Sequence, residues 1–189
     1  APFSAHRMTT TKIDKLAAVN SALVAIGSSP VSSLLGALPR DASVALFLFD
    51  LVDIEAQAAG WHFNTDRDVQ ILPDSNGFLN VPQDALHVDV DVRSFGSSSR
   101  DLVPRGGRLF DRDRNSDVFT DPVRCEVVRR LDFGDCPPPF QAYVAALLAV
   151  RLPQDVLGDA TKNEFLSRRL EMAWAGVLRD DLNQSDHTH

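Results

Sequence analysis

The residues of this chain best equipped for chemistry are carboxylates that come in pairs two apart: Asp66 with Asp68, Asp89 with Asp91, Asp111 with Asp113. Two carboxylates facing each other across a sugar, one with a raised pKa, would hydrolyse a glycosidic bond. Residues two apart share a face of a strand, so Asp89 and Asp91 meet the first requirement. They alternate with Val88, Val90 and Val92, however, and on a half-buried strand that makes them the wetted side. The run Asp111-Arg112-Asp113-Arg114-Asn115 has oxygens where a calcium loop needs its first three ligands. Ser116 then stands where such a loop needs Gly and Pro122 where it needs Glu, so the run reads as a solvated loop. His187 and His189 would hold a metal only adventitiously. No Gly-x-Ser-x-Gly elbow, His-Glu-x-x-His or P-loop is present. Residue types alone point to no catalytic residue, no cofactor site and no metal site.

Positive charge is concentrated in one place. Arg105, Arg108, Arg112 and Arg114 fall close together, interleaved with Asp111, Asp113 and Asp117. That mixture suits salt bridges between subunits better than a grip on duplex DNA, and with Phe95 these arginines are the candidate interface residues. The whole chain has 19 basic against 26 acidic residues, a net charge of −7. General DNA wrapping needs Lys and Arg to displace phosphate counterions. An acidic surface suits DNA that slides past without sticking. Cys125 and Cys136 lack Cys-x-x-Cys spacing and point to a reducing, intracellular assembly site, with their pairing left open. No apolar run approaches the roughly 20 residues that span a bilayer, and Ala1-Pro2-Phe3 does not open a signal peptide. The chain is expected to be soluble, without a membrane partner.

The elements that must position these groups change character at Gly60. Thr11 and Asp14 signal a helix start, and Ile13, Leu16, Ala17, Asn20, Leu23 and Val24 mark its apolar face up to Gly27. Asn20 lies on that stripe and is expected to bond a nearby backbone. After a connector at 28–40, Asp41 is expected to cap a second helix whose face is Val44, Phe47, Leu48, Leu51, Glu55 and Ala58. Gly60 ends it in the left-handed conformation. Trp61 and Phe63 then predict two rings on one face of a strand continued by Thr65, Val69 and Ile71.

Pro73-Asp74-Ser75-Asn76-Gly77 predicts a turn, 78–81 a short strand, and 86–92 the clearest half-buried strand. Ser94 to Asp101 reads as a loop tip. Leu102-Val103 and Leu109-Phe110 flank Gly106-Gly107 as a hairpin, and a last strand runs from Val123 to Leu131. Phe140, Tyr143, Val144, Leu147 and Leu148 mark a third helix. Phe165, Leu166, Leu170, Ala173, Trp174 and Val177 mark a fourth, before a polar tail from Asp180. The predicted class is α+β, a four-helix base with an inserted antiparallel β region. Its organisation is a flexible arm at 1–10, a discontinuous helical domain at 11–60 and 137–182, a β insertion at 61–136 and a flexible tail at 183–189. Gly60, Trp61 and Phe63 form the structural joint, with His62 facing outward and taking no part in catalysis.

Several of these stretches, in order, resemble one family. Leu16-Ala-Ala-Val-Asn20 with Ile26-Gly27 and Pro30-Val31 is similar to an "AVN…IG…PV" opening, and Gly60-Trp61-His62-Phe63-Asn64 to "GWxFN". Leu72-Pro73-Asp74-Ser-Asn-Gly77 through Val81-Pro82 to Ala85-Leu86 resembles "LxPDxNGxxxVPxxAL". Arg105-Gly-Gly-Arg108-Leu109-Phe110-Asp111-Arg112 is similar to "RGGxLYDR", with Phe110 in place of Tyr, and Leu131-Asp132-Phe133 fits as well. Pro137 to Pro139 and the serine-rich 94–100 depart from the pattern. The family is that of tail tubular protein A, the adaptor or gatekeeper proteins of short-tailed phages. The resemblance implies a non-enzymatic virion protein that forms a dodecameric ring between the portal protein and the tail nozzle protein, assembled in the host cytoplasm. Its partners would be copies of itself, the portal and the nozzle, with genomic DNA passing through unbound. No cofactor is implied. The competing reading is a virion-associated glycan hydrolase working through Asp89.

Overall fold

A computed structural model describes residues 12–90, 100–152 and 160–186. Among them are helices α1 (Lys15–Ile26), α2 (Arg40–Ala58), α3 (Pro138–Arg151) and α4 (Ala160–Asp186). The strands are β1 (Thr65–Ile71), β2 (Ala85–Val90), β3 (Leu102–Arg105), β4 (Arg108–Asp111) and β5 (Val123–Arg129). The class is α+β with antiparallel sheets, as the change of period predicts. The chain divides into two compact units, the first made of residues up to Asp53 and from Asp132 onward, the second of Ile54–Leu131.

In the first unit α1 begins at Asp14, whose carboxylate accepts a hydrogen bond from the Ala17 amide, and ends at Gly27 with φ +89°. A positive φ there lets the Gly27 and Ser28 amides turn back onto the carbonyls of Val24 and Leu23. Asn20 does what its place on an apolar stripe requires. Its side chain donates to the Val31 carbonyl and accepts from the Val31 amide, both at 2.8 Å, and so fastens the connector to α1. Asp41 is not the cap of α2 but sits in its first turn, where its carboxylate accepts from the Ser28 hydroxyl. α3 opens on Pro138 and Pro139, tolerated because first-turn amides have no intrahelical partner. It is buried nearly all round, through Phe140, Val144, Ala145, Leu148 and Ala149. Phe49 meets Phe133 edge to face, with ring centroids 5.0 Å apart. The amide of Gln141 is fully buried and satisfied at both ends, accepting from the Ile13 amide and donating to the Phe133 carbonyl.

Three expectations for the helices fail. In α2 the buried stripe is Ala42, Ala45, Phe49, Val52 and Ala56, while Phe47 and Leu51, chosen from periodicity as core, are exposed. In α1 the buried set is Ala18, Val19, Ala22 and Leu23, and Val24 is outside. Both helices are apolar on more than one face, and the alanine-bearing face allows the closer approach. The expected tail from Asp180 instead continues α4 through Asp186. The arm at 1–10 and the final His187 and His189 lie outside the described residues.

In the second unit β5 is the central strand, antiparallel to β1 on one side and β2 on the other. β1 carries a bulge between Asp66 and Val69, with Asp68 at φ +60°. β3 and β4 form a two-residue hairpin closed by Arg105 and Arg108, and both turn glycines have positive φ (+59° and +79°). Such a turn matches the twist of the strands it joins. Ile71, Leu79, Val88, Leu109, Phe119, Val123, Cys125 and Val127 make the core of this unit. Residues 78–81, expected as a strand, make only isolated bridges, among them Phe78 to Val118 and Asn80 to Arg108. The last part of the expected strand through Val92 lies outside the described residues.

The turn before that segment is built by Asp74. Its carboxylate accepts from the Phe78 amide, the Asn80 side chain and the Asn76 amide, and these donors hold it below the usual carboxylate range. Gly77 completes the turn at φ +81°, and a Cβ there would lie 2.9 Å from Val118 Cγ1 and 3.1 Å from the Phe119 carbonyl oxygen. Gly77→Ala is therefore expected to cost roughly 2 kcal/mol or more, left-handed strain plus overpacking. Gly106→Ala, with no atom within 4 Å of the new Cβ, keeps only the strain. Urea unfolding of the two variants should show the larger loss for Gly77→Ala.

Candidate assembly site

The stretch after α2 is organised by hydrogen bonds rather than by a strand face. Gly60, at φ +76°, sends its amide back to the Gln57 carbonyl, and a Cβ there would press to 3.2 Å from Val128 Cγ2. Trp61 opens a short 3-10 turn over His62–Asn64, so Trp61 and Phe63 do not share a face of β1, which starts only at Thr65. The cause is Asn64. Its side-chain oxygen accepts from the Trp61 amide at 2.9 Å, and its backbone amide donates to the Trp61 carbonyl, curling the chain before it extends. Its side-chain NH2 reaches the carbonyls of Gln57 and Arg129. Trp61 is 4% exposed, and its indole N–H donates to the Ala56 carbonyl at 2.8 Å. Phe63 and His62 are half-buried.

Gln57 closes the same network. Fully buried, it donates to the Leu131 carbonyl at 3.0 Å and accepts from the Leu131 amide at 2.8 Å, as an adjoining strand would. Gln57 and Asn64 thus hold the last turn of α2 to the chain leaving β5, within the second unit. Periodicity gave them no role. The available signal was two amides flanking a glycine–tryptophan pair in a segment otherwise poor in polar side chains.

The four candidate arginines lie on or beside the β3–β4 hairpin, and three of them already face carboxylates of their own chain. Arg108 lies 3.6 Å from Asp117 and stacks on Phe78, with 3.8 Å to the ring centroid. Arg112 lies 3.2 Å from Asp101. Arg114 approaches Asp111 at 4.0 Å and donates its backbone amide to the same carboxylate. Arg105 differs. It stacks on Phe110 at 4.1 Å and, among the described residues, has no carboxylate partner. It stands at the hairpin tip on the rim of a cleft shared with Asn80, Val81 and Pro104. The hairpin therefore presents one uncompensated guanidinium beside apolar stacking pairs, not a continuous basic patch. Phe95, the fifth candidate, lies outside the described residues.

The carboxylate pairs are dispersed. Asp66 and Asp84 both bind Arg129, and Asp68 lies 3.3 Å from Arg124. Asp89 stands exposed opposite Glu126, and Asp91 is outside the described residues. Asp111 is buried between Arg100 and Arg114, each 4.0 Å away, so its charge is met by guanidinium groups. Among the described residues no group of three or more His, Cys, Asp or Glu side chains could hold a metal ion. Cys125 and Cys136 are free and buried. Burial raises their thiol pKa values to about 11 and about 12, which keeps them protonated and unreactive near neutral pH.

Among the described residues several large apolar side chains are also exposed. α4 exposes Phe165, Met172, Trp174, Leu178 and Leu182, and Trp174, expected to be buried, is 39% exposed beside Tyr143. Among the described residues no helix is long and apolar enough to cross a membrane. Side chains so displayed suit contact with other proteins.

Comparison with known proteins points the same way. The family model for tail tubular proteins matches residues 16–187. The chain is also similar to a tail tubular protein A from Klebsiella phage KP34. The two are 28% identical over 168 residues, spanning 89% of this chain and 87% of that relative.

Proposed function

The chain belongs to the tail tubular protein family and is a structural protein of the phage tail, and we propose that within the tail it is a ring-forming adaptor. The ring joins the portal vertex to the tail nozzle, and DNA passes through its centre during ejection. The observation that carries this reading is the family match over residues 16–187, which takes in both compact units.

Three features suit the role. The net charge of −7 per copy leaves a channel wall that does not retain anionic DNA. The C-terminal half of α4 repeats exposed apolar residues at four-residue spacing, Trp174, Leu178 and Leu182, a stripe fit to lie on the portal. The β3–β4 hairpin, with Arg105 at its tip, is fit to meet the nozzle or a neighbouring copy, and Arg108, Arg112 and Arg114 flank that contact. Its work is mechanical, without catalysis.

The test is to mix the purified chain with portal protein and image it by negative-stain electron microscopy. A ring of added density on each portal is expected. Intact portals that stay bare would sink the adaptor role. The glycan hydrolase reading is separated by sugar release from host envelope preparations. Wild type and Asp89→Asn are expected to match the blank, and release that depends on Asp89 would revive the enzyme.

A further inference from the structure

Two faces of the first unit are built as if to be covered. On α2, Val44, Phe47, Leu48 and Leu51 follow the three- and four-residue spacing of a core stripe. Yet Phe47 is 68% and Leu51 51% exposed. A helix apolar on both sides has one more apolar face than the described residues bury. On the other face, α1 and α4 border a groove of about 550 Å³. Ala17, Val24, Ala25 and Phe165 form its walls, and Val24 and Phe165 are 59% and 62% exposed. Arg169 stands at its edge, held by the Ser21 hydroxyl at 2.6 Å, with no carboxylate partner among the described residues. The ridge carries a carboxylate on its flank. Asp50, one turn from Phe47, is exposed and bonded to Lys15 at 2.7 Å.

We propose that the α2 ridge of one copy, led by Phe47 and Leu51, docks in the α1–α4 groove of the next copy. This seam rests on the ring reading and specifies where its subunits touch. The occupant is a second copy because the apolar ridge, the apolar groove and the complementary charges all lie on one unit, so self-association satisfies both faces at once. Asp50 of one copy would then come beside Arg169 of the other. Because ridge and groove are different surfaces, the contact is head to tail. It repeats until rotation closes it, which is what a ring requires and a two-fold dimer does not.

The head-to-tail character gives a decisive test on the full chain, by sedimentation velocity at rising concentration. Wild type is expected to self-associate. Phe47→Asp spoils the ridge and Val24→Asp the groove. Each should raise the concentration needed for association by roughly thirtyfold or more, the loss expected of an interface hot spot. An equal mixture of the two should form a one-to-one pair and nothing larger, because one intact ridge meets one intact groove and the other surfaces are spoiled. Leu51→Asp with Phe165→Asp is an independent second pair, and circular dichroism melts verify that each variant folds. A wild type that stays monomeric to its solubility limit overturns the seam. So do variants that associate like wild type, or a mixture that yields no pair. Imaging the same proteins with portal keeps the two ideas apart. Variants that still form rings there overturn the seam and leave the adaptor role standing. A wild type that pairs in solution but ignores the portal overturns the role and leaves the seam.

Discussion

Trp61→Ala should lower the unfolding free energy of the second unit by about 3–5 kcal/mol, the range for a large aromatic removed from a core. The ring is 4% exposed, so nearly all of its surface returns to water or to a cavity. The indole N–H bond to the Ala56 carbonyl goes as well, which exposes a polar group at the end of α2. Trp61→Phe should fall between wild type and Trp61→Ala, because it keeps an aromatic ring but gives up the donor, at about 1 kcal/mol, together with part of the buried volume. Urea unfolding followed by circular dichroism measures both. If Trp61→Ala matched wild type, the ring would not be holding this segment, and Asn64 and Gln57 would be sufficient without it. In the tail, Trp61→Ala should assemble poorly at temperatures where this unit has melted.

How much of this was readable beforehand depends on what kind of signal each residue sends. Backbone requirements were plain. Gly27 and Gly60 at helix ends, Gly106-Gly107 in a two-residue hairpin and Asp74 to Gly77 in a turn each need a conformation that few residues supply. The change from helical to alternating period at Gly60 also showed where α2 ends, shortly before β1 begins.

Choosing between two apolar faces was a different problem. Periodicity reports that Val44, Phe47, Leu48 and Leu51 form a stripe, but Ala42, Ala45, Phe49 and Val52 form another. The second went inside because alanine lets helices approach closely, while the first is half-buried at Val44 and Leu48 and exposed at Phe47 and Leu51. Hydrophobicity scales favour the larger residues, so the error has a direction: in both α1 and α2 it selected a face the monomer leaves partly open. In a protein that assembles, apolar residues beyond the core can serve the next subunit, and one chain's sequence carries no mark to separate them.

The stretch after α2 was legible as the end of a helix and misread as a strand. Trp61 and Phe63 alternate with His62, and three residues of alternation cannot tell a strand from a turn closed by an asparagine side chain. The arginines were found by clustering. Their partners Asp101, Asp111 and Asp117 are likewise near in sequence, so the interleaving that suggested bridges between copies is largely used within one.

The second large effect is at Gln57, whose amide stands in for a missing strand neighbour. Gln57→Leu keeps the volume and removes both bonds to Leu131, leaving the part-buried N–H and C=O of Leu131 without those partners. Each costs about 1–3 kcal/mol, so the total loss is roughly that of a core cavity. Gln57→Glu tests the cause. The carboxylate can still accept from the Leu131 amide, but when ionised it cannot donate to the Leu131 carbonyl, and full burial penalises its charge. Protonated, it regains the donor. Its folded pKa must then lie above its unfolded value of about 4.3, so the neutral form's stabilisation is complete below that pH and is lost as pH rises through the folded pKa. The stability gap between Gln57→Glu and wild type should be smallest near pH 4 and widen toward pH 7, by roughly 1.4 kcal/mol for each unit of pKa shift. A gap that stays constant over that range would mean the position tolerates a charge, and that Gln57 is held by its surroundings rather than holding them.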